Sequence, residues 1–133
     1  MDASSGPTAG YRNLVTWRRA FALASLCYDL TEPLPPRAQR ILADQIRRAA
    51  TSIPANIAEG YGRRSAGDYA RHLRIALGSL AERETHLLLA RARGFGDAGQ
   101  MDRALRDANE VGRLLSGLCR SVTLARERRV AKR

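Results

Sequence analysis

Apolar residues between Leu42 and Ile57 recur at steps of three and four, as Leu42, Ile46, Ala49, Ala50, Ile53 and Ile57. That spacing gathers them on one face of an α-helix. After a break at Gly60–Gly67 the pattern resumes through Tyr69, Leu73, Ala76, Leu80, Leu87 and Leu88. The stretch from Gln45 to Ala90 is therefore predicted to be a helical hairpin. Polar residues fall on or beside both stripes: Gln45, Arg48, Ser52, Asn56 and Glu59 on the first, Glu82 and Glu84 on the second. Two amphipathic helices sharing a polar seam are expected.

The flanking segments follow the same period. A first helix is predicted from about Asn13, as N-cap, to Leu30, with Leu14, Trp17, Phe21, Ala24 and Tyr28 buried and Ala20 and Cys27 alongside. Pro33, Pro35 and Pro36 end it, because proline lacks the N–H donor and restricts the residue before it. The second helix starts near Pro36–Arg37, where a first-turn proline is tolerated. Pro54 lies inside its pattern, yet Ile57 and Glu59 keep the phase of Ile53, so a kinked helix reaching Gly60 is expected, the kink serving as curvature or as a hinge. Ser65 with Asp68 reads as the cap of helix three, which runs to about Arg93 with Gly94 as its stop. Gly78–Ser79 in its middle implies a close helix approach. Asp97 with Gln100 opens helix four, whose stripe is Met101, Leu105, Ala108, Val111, Leu115, Leu118 and Val122. Short connections between long helices make an up-down-up-down bundle, with no strand pattern anywhere. The domains expected are a disordered segment 1–10, a bundle over 11–125 and a frayed, solvated basic tail over 126–133.

In such a hairpin the antiparallel register sets Arg48 near Glu82 or Glu84, Gln45 near Glu84, and Glu59 near Arg71. With Asn56, these polar residues read as cross-helix pairs that fix register, or as groups in the wall of an assembly pore. Apolar residues beyond one stripe, Leu23, Leu26 and Leu30 on helix one and Leu114, Leu118 and Leu124 on helix four, leave surface for neighbouring subunits.

The words QIRRAA-x-SIP-x-NIAEGYGRRS and IALGSLAE-x-ETHLLLA resemble the signature of the bacterial four-helix bundle proteins first noticed as reading frames in intervening sequences of 23S ribosomal RNA genes. The resemblance runs from about Tyr11 to about Leu118. It implies an all-α, antiparallel four-helix bundle that assembles into a homo-oligomeric ring, commonly a pentamer. It brings no enzymatic activity and no cofactor. A distant relative, the accessory variability protein of diversity-generating retroelements, is a basic pentameric barrel that binds nucleic acid and a reverse transcriptase. By analogy a reverse transcriptase is a candidate protein partner.

Charge changes the picture more than composition does. The 133-residue chain carries a net charge of +10, and Lys132 is its only lysine. Arginine forks suit phosphate, so a polyanion is the natural partner, although arginine richness also follows from a GC-rich genome. Arg63, Arg64, Arg71 and Arg74 gather at the central turn and the start of helix three, with Arg47 on the neighbouring helix. They are the candidate contacts to RNA or DNA backbone, or else a solvated basic face. Tyr61 and Tyr69 are the only aromatic residues near them, so base stacking has little support.

Catalytic chemistry is not indicated. Glu82 and His86 are four apart and His72 is the only other histidine, so neither Glu-x-x-His nor H-E-x-x-H occurs and no metal is expected. Both histidines read as surface or interfacial side chains. Cys27 and Cys119 lie in apolar segments and read as buried free thiols. No apolar run reaches the ~20 residues of a membrane span, and MDASSGPTAG is not a signal peptide, so a cytoplasmic protein without membrane contact is expected. The function expected is non-enzymatic binding of nucleic-acid backbone, with a protein-interaction scaffold as the alternative.

Overall fold

A computed structural model of the chain describes residues 7–132. A 3-10 helix, Pro7–Asn13, leads into α1, Val15–Thr31. A single helical turn, Pro36–Ala38, and a π-helical turn, Gln39–Ala43, lead into α2, Asp44–Tyr61. Helices α3, Ala66–Ala92, and α4, Ala98–Ala131, complete the chain, and no strand occurs among the described residues. Each helix packs on the next in sequence, and α4 returns to α1, which closes a four-helix bundle.

Local chemistry explains most of the boundaries. The Ser65 hydroxyl accepts the Asp68 N–H at 3.2 Å and caps α3, and Asp97 Oδ1 accepts the Gln100 N–H at 2.9 Å and caps α4. Gly94 and Gly96 take φ of 74° and 76°, the left-handed backbone that reverses the chain between α3 and α4. A Cβ at Gly96 would also lie 2.8 Å from Met101 Cε. α2 continues through Pro54, which is itself buried. The burial of Ile53 and Ile57 on either side offsets a break that costs about 3 kcal/mol in an isolated helix.

The core takes Ala20, Leu23, Cys27 and Leu30 from α1 and Ile46, Ala50, Ile53 and Ile57 from α2. From α3 come Leu73, Ala76, Leu80, Leu87 and Ala90, and from α4 Met101, Ala104, Ala108, Val111 and Leu115. The α2 face is the predicted one. The α1 face is rotated from its prediction. Leu23 and Leu30, expected as leftover surface, are fully buried, whereas Phe21 and Tyr28 are exposed. Apolar residues cover more than one stripe of α1, so periodicity alone did not single out the inner one. Asn13 belongs to the 3-10 helix and Leu14 is the N-cap position, without a side-chain cap.

Three further expectations are corrected. The segment from residue 126, read as a frayed tail, continues α4 as helix to Ala131 with exposed side chains. Of the expected disordered segment 1–10, residues 7–10 begin the 3-10 helix, and the rest lies outside the described residues. A Cβ added at Gly78 would meet nothing within 4 Å, so the close approach in mid-α3 belongs to Ser79 alone. The Ser79 hydroxyl shares a 2.8 Å hydrogen bond with the Ser52 hydroxyl across α2 and α3.

Candidate nucleic-acid interface

Gly60 lies in the last turn of α2, against the first turns of α3. A Cβ there would lie 2.8 Å from His72 Cβ and 2.9 Å from Tyr69 Cδ1, so only glycine lets α3 start this near α2. Tyr61 and Tyr69 meet edge to face at 6.2 Å behind the turn. Burial, and then the neighbouring Tyr61, push the Tyr69 hydroxyl above its ordinary pKa. The rings pack on each other, Tyr69 half-buried and Tyr61 exposed.

The turn arginines project outward. Arg63, Arg64, Arg71 and Arg74 are all exposed. Arg63 donates to Glu59 at 2.8 Å, and Arg71 stands 4.0 Å from Asp68. Arg64 and Arg74 form no ion pair among the described residues. Arg47 is separate from this group. It sits near the start of α2, roughly 20 Å of helix from the turn at about 1.5 Å rise per residue. Its Nε donates to Thr31 Oγ1 at 2.9 Å, and its guanidinium lies over the Tyr28 ring at 5.4 Å. Arg47 ties α1 to α2 and does not join the cluster.

The end of α4 does join it. A cleft of about 230 Å³ is lined by Arg63, Arg64, Ser65, Tyr69, Val122 and Arg129. The Arg126 guanidinium rests against the first turn of α3, 3.4 Å from where a Gly67 Cβ would be. Sequence position separated these groups, and only the length of α4, carried as helix past residue 125, brings its last arginines to the turn.

The polar seam is built differently from its prediction. Arg48 and Gln45 are exposed, and Arg48 pairs with neither Glu82 nor Glu84. Glu59 bonds Arg63 and lies 3.8 Å from His72 Nε2, not beside Arg71. Glu82 lies 3.8 Å from His86 on its own helix. The register assigned to the hairpin counted residues along straight helices and ignored which side each polar group faces. Besides that Glu59–His72 approach, the Ser52–Ser79 bond crosses the seam, supported by Asn56, whose Nδ2 donates to the Ser52 carbonyl at 2.8 Å and its hydroxyl at 2.9 Å. His72, expected as a surface or interfacial side chain, is buried between α2 and α3, and its Nδ1 is 2.9 Å from the Asp68 carbonyl.

One buried polar group was missed altogether. Arg83 is fully buried, and its Nη1 donates to Cys27 Sγ at 3.3 Å. Its Nε and Nη2 have no hydrogen-bond partner. Leu73, Ala76, Leu80, Arg83, Leu87 and Ala90 repeat at steps of three and four, so the signal was present in the period and hidden by the charge.

Among the described residues, no group of three histidines, cysteines or carboxylates gathers as metal ligands. No helix there is long and apolar enough to cross a membrane.

Residues 12–117 match the family described as 23S rRNA-intervening sequence protein. The fold is similar to a crystal structure from Bacteroides thetaiotaomicron VPI-5482, a protein of unknown function from the S23 ribosomal protein family. The two share 28% identity with a TM-score of 0.73, over 80% of this chain and 96% of that one. None of the curated proteins matches the chain.

Proposed function

The chain belongs to the 23S rRNA-intervening sequence protein family, and from that membership and its surface we propose that it is a non-enzymatic, homo-oligomeric bundle that binds nucleic-acid backbone. The observation that carries this reading is the row of exposed arginines at the α2–α3 turn and the start of α3, Arg63, Arg64, Arg71 and Arg74, on a chain of net charge +10. Guanidinium groups bond phosphate oxygens bidentately and release counterions from the polyanion. Such contacts position a duplex without reading its bases.

The assembly is proposed as a ring, commonly a pentamer in proteins that this chain resembles. Its support is the outer face of α1, where Trp17 stacks on Phe21 at 5.1 Å and Phe21 and Tyr28 are exposed. Exposed aromatic residues in one strip are typical of a surface covered by another chain. Light scattering at micromolar concentration should give a multiple of 14.6 kDa, and a monomer mass would refute the ring.

Affinity for duplex DNA and structured RNA across a salt series tests the binding. The expected log–log slope is about −0.9 per duplex phosphate neutralised, with little preference among sequences. The same aromatic face favours a second reading, an interaction scaffold without nucleic-acid activity. Absence of binding at physiological salt would leave that reading in place.

A further inference from the structure

Two basic segments remote in sequence meet at one cleft. Arg63 and Arg64 approach from the α2–α3 turn, and Arg129 approaches from the end of α4. Arg126, one helical turn before Arg129, rests on the first turn of α3. Of the acidic groups nearby, Glu59 bonds Arg63, and the Asp68 carboxylate stands 4.0 Å from Arg71. Glu127 shares a different surface groove with Arg126. Arg64, Arg126 and Arg129 form no ion pair among the described residues. Unpaired guanidinium groups gathered around one cleft raise its positive potential and attract an anion.

We propose that the α2–α3 turn and the C-terminal end of α4 form a single phosphate-binding cleft, in which Arg64, Arg126 and Arg129 hold a phosphodiester of a nucleic-acid backbone. Arg63, tied to Glu59, forms the wall of the cleft. Ser65 and Ala66 line it too, so the positive end of α3 adds to the field at the phosphate. The α4 arginines are thus part of the site and not a separate mobile basic arm. The inference rests on the nucleic-acid reading above and adds to it where the phosphate sits.

Two measurements on the full chain test it. In the first, R64Q and R126Q/R129Q are compared with their combination for duplex DNA affinity at low salt. Each should weaken binding roughly ten-fold, and the combination should fall well short of the hundred-fold product, because groups that share one ligand are not additive. R126K/R129K should retain most of the affinity. In the second, arginines are modified with phenylglyoxal and mapped by mass spectrometry, with and without duplex DNA, and separately with inorganic phosphate. Arg64, Arg126 and Arg129 should be protected by DNA, and Arg48, exposed near the far end of α2, should not.

If DNA binds but protects none of the three, and the variants bind like the parent, the cleft is wrong while the nucleic-acid reading stands. Fully additive losses would also overturn it, by showing two independent surfaces. If DNA does not bind yet inorganic phosphate protects the three, the cleft is confirmed as a phosphate site and the nucleic-acid source is overturned. If neither ligand protects them, both fail.

Discussion

Arg83 of α3 donates from Nη1 to Cys27 Sγ of α1 at 3.3 Å, in the middle of the bundle core. A thiol is a weak acceptor, and two of the three guanidinium nitrogens have no partner at all. Burying a guanidinium this way costs more than it returns, because nothing replaces the water it leaves. Arg83→Met keeps the length of the side chain and removes the unmatched donors. It should raise unfolding stability by about 1 kcal/mol or more. A urea or thermal melt in which the variant is less stable than the parent would show that Arg83 has a partner in the assembled protein.

The same pair sets the behaviour of Cys27. Burial pushes its thiol above the ordinary value of 9.0, and Arg83, by charge and hydrogen bond, pulls part of the way back. The folded pKa is the higher one, so stability is full below pH 9.0 and declines as pH rises through the folded value. Cys27 should resist a thiol reagent at pH 8 in the native protein, while the part-buried Cys119 reacts. In Arg83→Met the opposing cation is gone, so the alkaline loss should begin at the same pH, set by the unfolded thiol, but grow larger and run on to higher pH. A shift downward would contradict this account.

Two glycines of the hairpin should respond oppositely to alanine. Gly60→Ala drives a Cβ to 2.8 Å from His72 Cβ, an atom fixed to its backbone, and should cost about 1–3 kcal/mol. Gly78→Ala meets nothing within 4 Å and should stabilise α3 by about 0.5–1 kcal/mol. Melts of equal height for both variants would mean the helices are not this close at Gly60.

The seam hydroxyls carry unequal weight. Ser52 Oγ serves both Ser79 and Asn56, whereas the Ser79 hydroxyl has its one 2.8 Å bond to Ser52. Ser79→Ala should cost about 0.5–1.5 kcal/mol, and Ser52→Ala more, because it strips partners from two groups at once. Arg48→Ala, at an exposed position without an ion pair, should change stability by no more than about 0.5 kcal/mol. A loss of several kcal/mol there would restore the cross-helix pairing that the structure does not show.

These contrasts show what was readable from residues alone. The α2 face, both caps at Ser65 and Asp97, and the stop at Gly94 followed from period and local chemistry, which act over a few residues. Phe21, Tyr28 and Leu23 were misplaced because α1 is apolar around more than half its circumference, and only packing selects a side. Arg48, expected on the seam, is exposed, and Arg83, to which the sequence assigns no role, is buried, for a related reason. Charge was read as a mark of the seam, while the period at 76, 80, 83 and 87 was pointing inward. The union of Arg64 with Arg126 and Arg129 was out of reach of any local rule, since it depends on how far α4 runs as helix.

The connections of the bundle also differ in how freely they accept new side chains. Between α3 and α4 the left-handed backbone of Gly94 and Gly96 restricts both positions to glycine, and Gly96 is further hemmed in by Met101. No described residue of the α2–α3 turn has positive φ, and a Cβ at Gly62 or Gly67 would make only ordinary contacts. Past Gly60, then, that turn is a segment in which mutation can rewrite charge without rerouting the chain. A lineage, or a library built on residues 62–64, short of the Ser65 cap, can retune what the surface attracts while the scaffold beneath stays the same.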